Sequence, residues 1–203
     1  MVIPALGAQR HHPRITLHSW QVPPDEISTT AGIHLTDPGR TLRDTLLLVG
    51  RETAVCLMDS ALHQGLILEE DIEELELANR GRKGCVKVRR WWPMADGRAA
   101  SPLETLVRLI CIDGGAPPTD LQHRFRDGNG HTIGIADFWW EEHRLIGEAD
   151  GHGPHSHPQA LLRDRDRQNA LQRWHPGVRI VRFTWQDLKR PQYILASITH
   201  ARR

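Results

Sequence analysis

Neither sign of charge dominates this chain: 26 Lys and Arg stand against 25 Asp and Glu. Net charge therefore gives no warrant for a nucleic-acid partner, and a local patch has to supply any such binding. The three cysteines, at 56, 85 and 111, form no CxxC pair. That excludes a disulfide framework and a cysteine zinc site, and it fits reduced, buried thiols in a cytoplasmic protein. No apolar run reaches the roughly 18 residues a spanning helix needs, so no membrane partner is expected. Met1 to Gly7 is too short for a secretory leader. No internal repeat is present. Tyrosine is nearly absent, at one residue, whereas seven tryptophans and thirteen histidines are high counts. At 203 residues the chain is long enough to bury a core in one or two domains.

One stretch organises the rest: HTIGIADFWWEEHRLIGEADG, residues 131–151. It reads as two strands, His131 to Trp140 and Arg144 to Asp150, joined by a short charged turn at Glu141-Glu142-His143. Side chains alternate along a strand, so Ile133, Ile135, Asp137 and Trp139 lie on one face of the first strand, and Ile146, Glu148 and Asp150 lie together on one face of the second. Three carboxylates on neighbouring, otherwise apolar strands repel one another unless a cation or proton intervenes. Hard oxygen ligands of this kind suit Mg²⁺ or Mn²⁺. The plain alternative is a surface hairpin with scattered acids.

The flanks supply the remaining elements. SPLETLVRLI predicts a helix over Ser101 to Ile110 with a capping box, Ser101 as N-cap and Glu104 at N3. Leu121 to Arg126 reads as a strand. PQALLRDRDRQNALQRW predicts a helix over Pro158 to Trp174, with Leu161, Leu162, Ala170 and Leu171 inward and Arg163, Arg165 and Arg167 on a polar side. VRIVRFTW reads as a strand over Val178 to Trp185, followed by a short helix from about Gln186.

The segments SPLETLVRLI, IADFWW, RLIGEADG, RDRDRQNAL and VRIVRFTWQDL, in this order, resemble the PD-(D/E)XK nuclease core. More closely, they resemble bacterial proteins whose C-terminal domain is similar to the Vsr-type very-short-patch mismatch-repair endonucleases. The resemblance covers Ala99 to Ala201. It implies an α/β fold with a restriction-endonuclease-like core, α-β-β-β-α-β around a mixed central sheet, at residues 97–203. A mostly helical domain with a small antiparallel sheet would precede it, at residues 1–96. It implies a Mg²⁺- or Mn²⁺-dependent DNA endonuclease, acting in phage defence or DNA repair. Asp137 and Glu148 are the implied metal ligands with the backbone carbonyl of Ala149, and Glu104 is an accessory carboxylate. The lysine of the motif would fall at Asp150, where E-x-D-G is the subfamily's form. Asp150 would bind an ion or take a proton.

Other roles have bland alternatives beside them. Glu104 is also explained by the capping box alone. His152, His155 and His157 lie within six residues and suit zinc or nickel, or form an exposed loop; the resemblance implies His155 as general acid or base. Arg167 either belongs to a solvated helix of alternating charge or, as the resemblance implies, turns back toward the acids or a phosphate. Lys83, Lys87, Arg89 and Arg90, with Trp91 and Trp92, form a basic-aromatic patch that suits a DNA backbone, although such tryptophans more often pack between helices.

Residues Arg14 to Asp96 predict a short strand in RITLHSW and further extended pieces in VPPDEIST and GIHLTD. Helices follow over Gly39 to Leu48, Arg51 to Gln64, an acidic one over Leu68 to Asn79, and Gly84 to Met94. Gly32, Ile33, Thr36, Pro38, Arg40, Thr41 and Leu42 fit a G-I-x-x-T-x-P-x-R-T-L motif of the same family. This middle part is similar to the C-terminal region of type IV abortive-infection antitoxins, and relatives carry a winged helix ahead of it that is missing here. The rival expectation is therefore a catalytically inactive DNA-binding or antitoxin-type regulatory protein, with a toxin as protein partner.

Overall fold

The computed structural model describes residues 11–12, 15–16, 18, 20–151 and 158–201. Two short strands, β1 (His11–His12) and β2 (Ile15–Thr16), pair antiparallel, and β3 (Ile27–Thr30) and β4 (Ile33–Thr36) form a second antiparallel hairpin. Four helices follow: α1 (Pro38–Leu46), α2 (Arg51–His63), α3 (Asp71–Ala78) and α4 (Cys85–Val88). Asp37 caps α1 by accepting the Arg40 N–H at 2.7 Å. Leu42, Leu46, Val55, Met58, Val88 and Trp92 close the core of this part.

The second part runs α5 (Pro102–Asp113), β5 (Asp120–Arg126), β6 (Thr132–Trp140), β7 (Leu145–Ala149), α6 (Pro158–Trp174), β8 (Arg179–Phe183) and α7 (Pro191–Ala201). The sheet order is β5-β6-β7-β8. The first two pairings are antiparallel; β7 and β8, joined through α6, are parallel. α5 and α7 cover one face, where Leu103, Val107, Ile194 and Ile198 meet Phe138, Trp140, Leu145 and Phe183. α6 covers the other, where Leu171 meets Trp139, Ile146 and Val178. The fold is thus α/β, with seven α-helices among the described residues, two small antiparallel hairpin sheets and a mixed four-stranded sheet.

α5 serves both parts. Its Leu109 belongs to the helical core while Leu103 and Val107 belong to the sheet core. One polar network fastens it. Asp59 on α2, 1% exposed, accepts Thr105 Oγ at 2.8 Å, an Arg108 guanidinium N–H at 2.6 Å and the Asp96 backbone N–H at 2.8 Å. Burial raises the Asp59 carboxyl above its ordinary range despite these donors. Beside it, burial and the Asp59 charge push the Cys56 thiol up to about 11, which keeps it a neutral, unreactive group.

Several expected boundaries shift for local reasons. The acidic helix begins at Asp71 instead of Leu68, because the Asp71 carboxylate accepts the Leu68 N–H at 2.8 Å and makes that stretch a turn. The expected helix over Gly84 to Met94 is broken: α4 stops at Val88, and a separate 3₁₀ turn spans Trp92–Met94. Pro93 lacks an N–H and disfavours helix at the residue before it. Leu162 is 58% exposed and does not face inward. The last strand ends at Phe183, because Asp187 accepts the Thr184 N–H and hydroxyl, both at 2.9 Å, and turns the chain. RITLHSW contributes only Ile15–Thr16 among the described residues.

Candidate functional site

The two middle strands pair only over Trp140↔Leu145, Trp139↔Ile146 and Phe138↔Gly147. Past that point β6 stays with β5 and β7 stays with β8, so the sheet opens between them. The next residues in register are Asp137 and Glu148. In place of a ladder bond, Asp137 Oδ2 accepts the Ala149 backbone N–H at 2.8 Å.

Four elements converge on this opening. The capping box at the start of α5 turns the Glu104 carboxylate back: Oε1 accepts the Ser101 hydroxyl at 2.8 Å and Oε2 accepts the Ala100 N–H at 2.9 Å. From β5, the Gln122 amide donates to Glu104 Oε2 at 2.9 Å and to Asp137 Oδ1 at 3.1 Å. Gln122 has φ 51°, a left-handed conformation that costs a non-glycine residue about 1 kcal/mol or more. That distortion brings its amide between the two acids. From α6, Arg167 crosses the sheet over Gly134, where an added Cβ would lie 3.1 Å from Arg167 Cδ. Its guanidinium pairs with Glu148 and donates to the Ile135 carbonyl at 3.0 Å. Arg182 on β8 pairs with Glu148 at 2.9 Å and with Asp164 at 3.1 Å.

The chain is 32% identical over 188 residues to the Uncharacterized protein Rv2248 of Mycobacterium tuberculosis H37Rv, an alignment that spans 93% of this chain and 68% of that protein. The chain belongs to the Rv2248 family. The Uncharacterized protein MT2308 of M. tuberculosis CDC 1551 matches to the same extent. No family model matches the chain, and no solved structure matches it.

In this Rv2248-family chain the charges at the opening do not balance evenly. Burial holds the Asp137 carboxyl above its ordinary range; the Glu104 charge adds to this, and the Ala149 N–H, Gln122 and Arg167 only partly offset it. Burial and the neighbouring Arg182 charge lower the Arg167 guanidinium. Glu104 and Asp137 are thus linked through Gln122, while Glu148 is turned to two arginines. Among the described residues no three His, Cys, Asp or Glu side chains are grouped to hold a metal ion.

The other candidates are placed as follows. Ala149 contributes its N–H to Asp137. Asp150, at the rim, donates its backbone N–H to the Phe183 carbonyl at 2.8 Å. His155 lies outside the described residues, with His152 and His157. Lys83, Lys87, Arg89 and Arg90 are exposed on the helical part. Lys87 donates to the Val49 carbonyl at 3.0 Å and lies 5.5 Å from the centre of the Trp91 ring. Trp92 is 2% exposed, so it packs in the core and offers no face to a nucleic acid. Two residues of the site were not singled out by the sequence: Gln122, outside every quoted segment, and Arg182, inside VRIVRFTWQDL but read only as part of a strand. The alternation of Leu121, His123 and Phe125 sets Gln122 apart on β5, but only the left-handed backbone brings its amide to the acids.

Proposed function

We propose that the opening between β6 and β7 is the active site of a Mg²⁺- or Mn²⁺-dependent DNA endonuclease with a restriction-endonuclease-like core. The observation that carries the reading is the hydrogen-bonded line Glu104–Gln122–Asp137–Ala149 at the splayed end of the sheet, with Glu148 next in register. Paired acids are costly on a buried strand face, and burial with the nearby Glu104 charge raises the Asp137 carboxyl. The donor set is hard oxygen throughout, which fits a divalent cation held by Asp137, Glu148 and the Ala149 carbonyl. Such an ion supplies phosphate polarisation and a more acidic bound water. The protein's own share is separate. Gln122 and the Ala149 N–H orient Asp137. The capping box and Gln122 hold the Glu104 carboxylate beside Asp137. Arg167 and Arg182 exchange Glu148 for a phosphate oxygen as the nucleic acid enters, since a planar guanidinium suits either anion.

A second reading has its own observation. Glu148 is already neutralised by Arg167 and Arg182, which favours a DNA-binding or antitoxin-type regulatory module without hydrolysis. Supercoiled plasmid separates the two. Nicking or linearisation with Mg²⁺ or Mn²⁺, abolished by EDTA, supports the nuclease. Plasmid that stays supercoiled while its mobility is retarded supports the regulatory module.

A further inference from the structure

We infer that Trp185 is a stacking platform for an unpaired base of the nucleic acid beside this opening. The inference rests on the nuclease reading for its substrate class and deepens it: it selects DNA with unstacked bases over a perfect duplex. Three observations lead to it. First, Trp185 lies at the carboxyl end of the parallel pair β7 and β8, the end that carries Glu148. The two strands are still tied there, by the Asp150 N–H to the Phe183 carbonyl at 2.8 Å. Its indole rests beside Gly151, where an added Cβ would lie 3.5 Å from Nε1.

Second, the indole is presented on a rigid turn and is half-exposed. Asp187, 8% exposed, accepts the Thr184 N–H and hydroxyl at 2.9 Å and the Arg190 guanidinium at 2.9 Å, so the backbone on both sides of Trp185 is fixed. The side chain itself remains 47% exposed. Phe125, Phe138, Trp139, Trp140 and Phe183 are core; Trp174, 44% exposed beside Gly128, is as open as Trp185 but lies by the β5–β6 turn, whereas Trp185 follows β8, the register partner of the β7 strand that carries Glu148. An aromatic held in place by its backbone loses little conformational freedom on binding.

Third, the surroundings match a nucleotide. Arg182, the penultimate residue of β8 and in register with Glu148, is 42% exposed at its side chain while paired with Glu148 and Asp164. Past the turn, Arg190, paired with Asp187 at 2.9 Å, lies over the Tyr193 ring at 4.8 Å, so this cation and ring are stacked on one another just beyond the turn that holds Trp185. Stacking of bases on aromatic rings beside a basic groove is tolerant of sequence, because every base has a π face.

The test is fluorescence anisotropy of a labelled short single-stranded DNA and of the matching perfect duplex, in EDTA, with the full chain. Trp185→Ala is expected to weaken single-strand binding about 10- to 100-fold and to leave the duplex nearly unchanged; Trp185→Phe, which keeps a ring, restores most of the loss. Unchanged single-strand affinity overturns the inference. So does an equal loss on strand and duplex, which marks a role in the fold alone, and so does a wild-type protein that binds neither. Because the measurement uses no metal, its outcome is independent of catalysis. Trp185-dependent binding without plasmid nicking removes the nuclease reading and keeps the platform. Nicking with Trp185-independent binding does the reverse.

Discussion

On the proposed nuclease reading, Asp137→Asn is expected to abolish metal-dependent plasmid nicking, a loss on the order of 10³-fold or more, while the protein stays folded. Asparagine keeps an oxygen for the Ala149 N–H; it loses the charge and the acceptor for the Gln122 amide, which can turn over to present its own oxygen. The stability side of the prediction has the opposite sign from a damaging mutation. Burial, with the Glu104 charge behind it, holds this carboxyl above its ordinary range in the folded chain. The stability it contributes is present below the ordinary carboxylate pKa and is lost as pH rises through the raised folded value. Asparagine does not titrate, so the variant gains on the wild type across that window. Urea denaturation at several pH values checks it. A variant that nicks DNA like the wild type removes Asp137 from catalysis. One that grows less stable relative to wild type as pH rises removes the charge argument.

Asp59→Ala lowers stability by about 3–5 kcal/mol, the cost of leaving a buried charge without its partner. Arg108 is 5% exposed, and its Nε already has no hydrogen-bond partner, so the residual guanidinium cannot reach water. Thr105 Oγ and the Asp96 N–H lose their acceptor at the same time. In a chain of this size the loss corresponds to a melting temperature lower by roughly 10 °C. The double variant Asp59→Ala, Arg108→Leu recovers most of it, because an apolar replacement of both partners removes the stranded charge. A single variant that melts with the wild type shows that the pair does not fasten α5, and that Glu104 is placed by the sheet core alone.

Much of the sheet part was legible because its signals are local. The capping box in SPLETL placed the start of α5, and the alternation in IADFWW and RLIGEA placed β6 and β7 to within a residue or two. The α6 span was read in full from PQALLRDRDRQNALQRW. The two acids came out as register neighbours because strand period and a short turn fix register between them. What period cannot show is where a ladder ends. The splay after Phe138 and Gly147 and the left-handed Gln122 are tertiary events, and they decide that Glu104 meets Asp137 while Glu148 meets arginines. Arg182 looked like an exposed strand residue because its partners, Glu148 and Asp164, lie on other elements. In the helical part, Arg40 of the G-I-x-x-T-x-P-x-R-T-L motif has a structural explanation. It is buried at 4% exposure between Glu26 and Asp44, so the motif fastens the β3–β4 hairpin to α1.

The central claim is that this opening takes a divalent cation through Asp137 and Glu148. Calorimetric titration of Mn²⁺ into the metal-free protein reads it directly. The account predicts saturable binding that weakens as pH falls, since a ligand carboxyl must give up its proton, and that is lost in both Asp137→Asn and Glu148→Gln. No saturable binding, or binding that both variants retain, contradicts it.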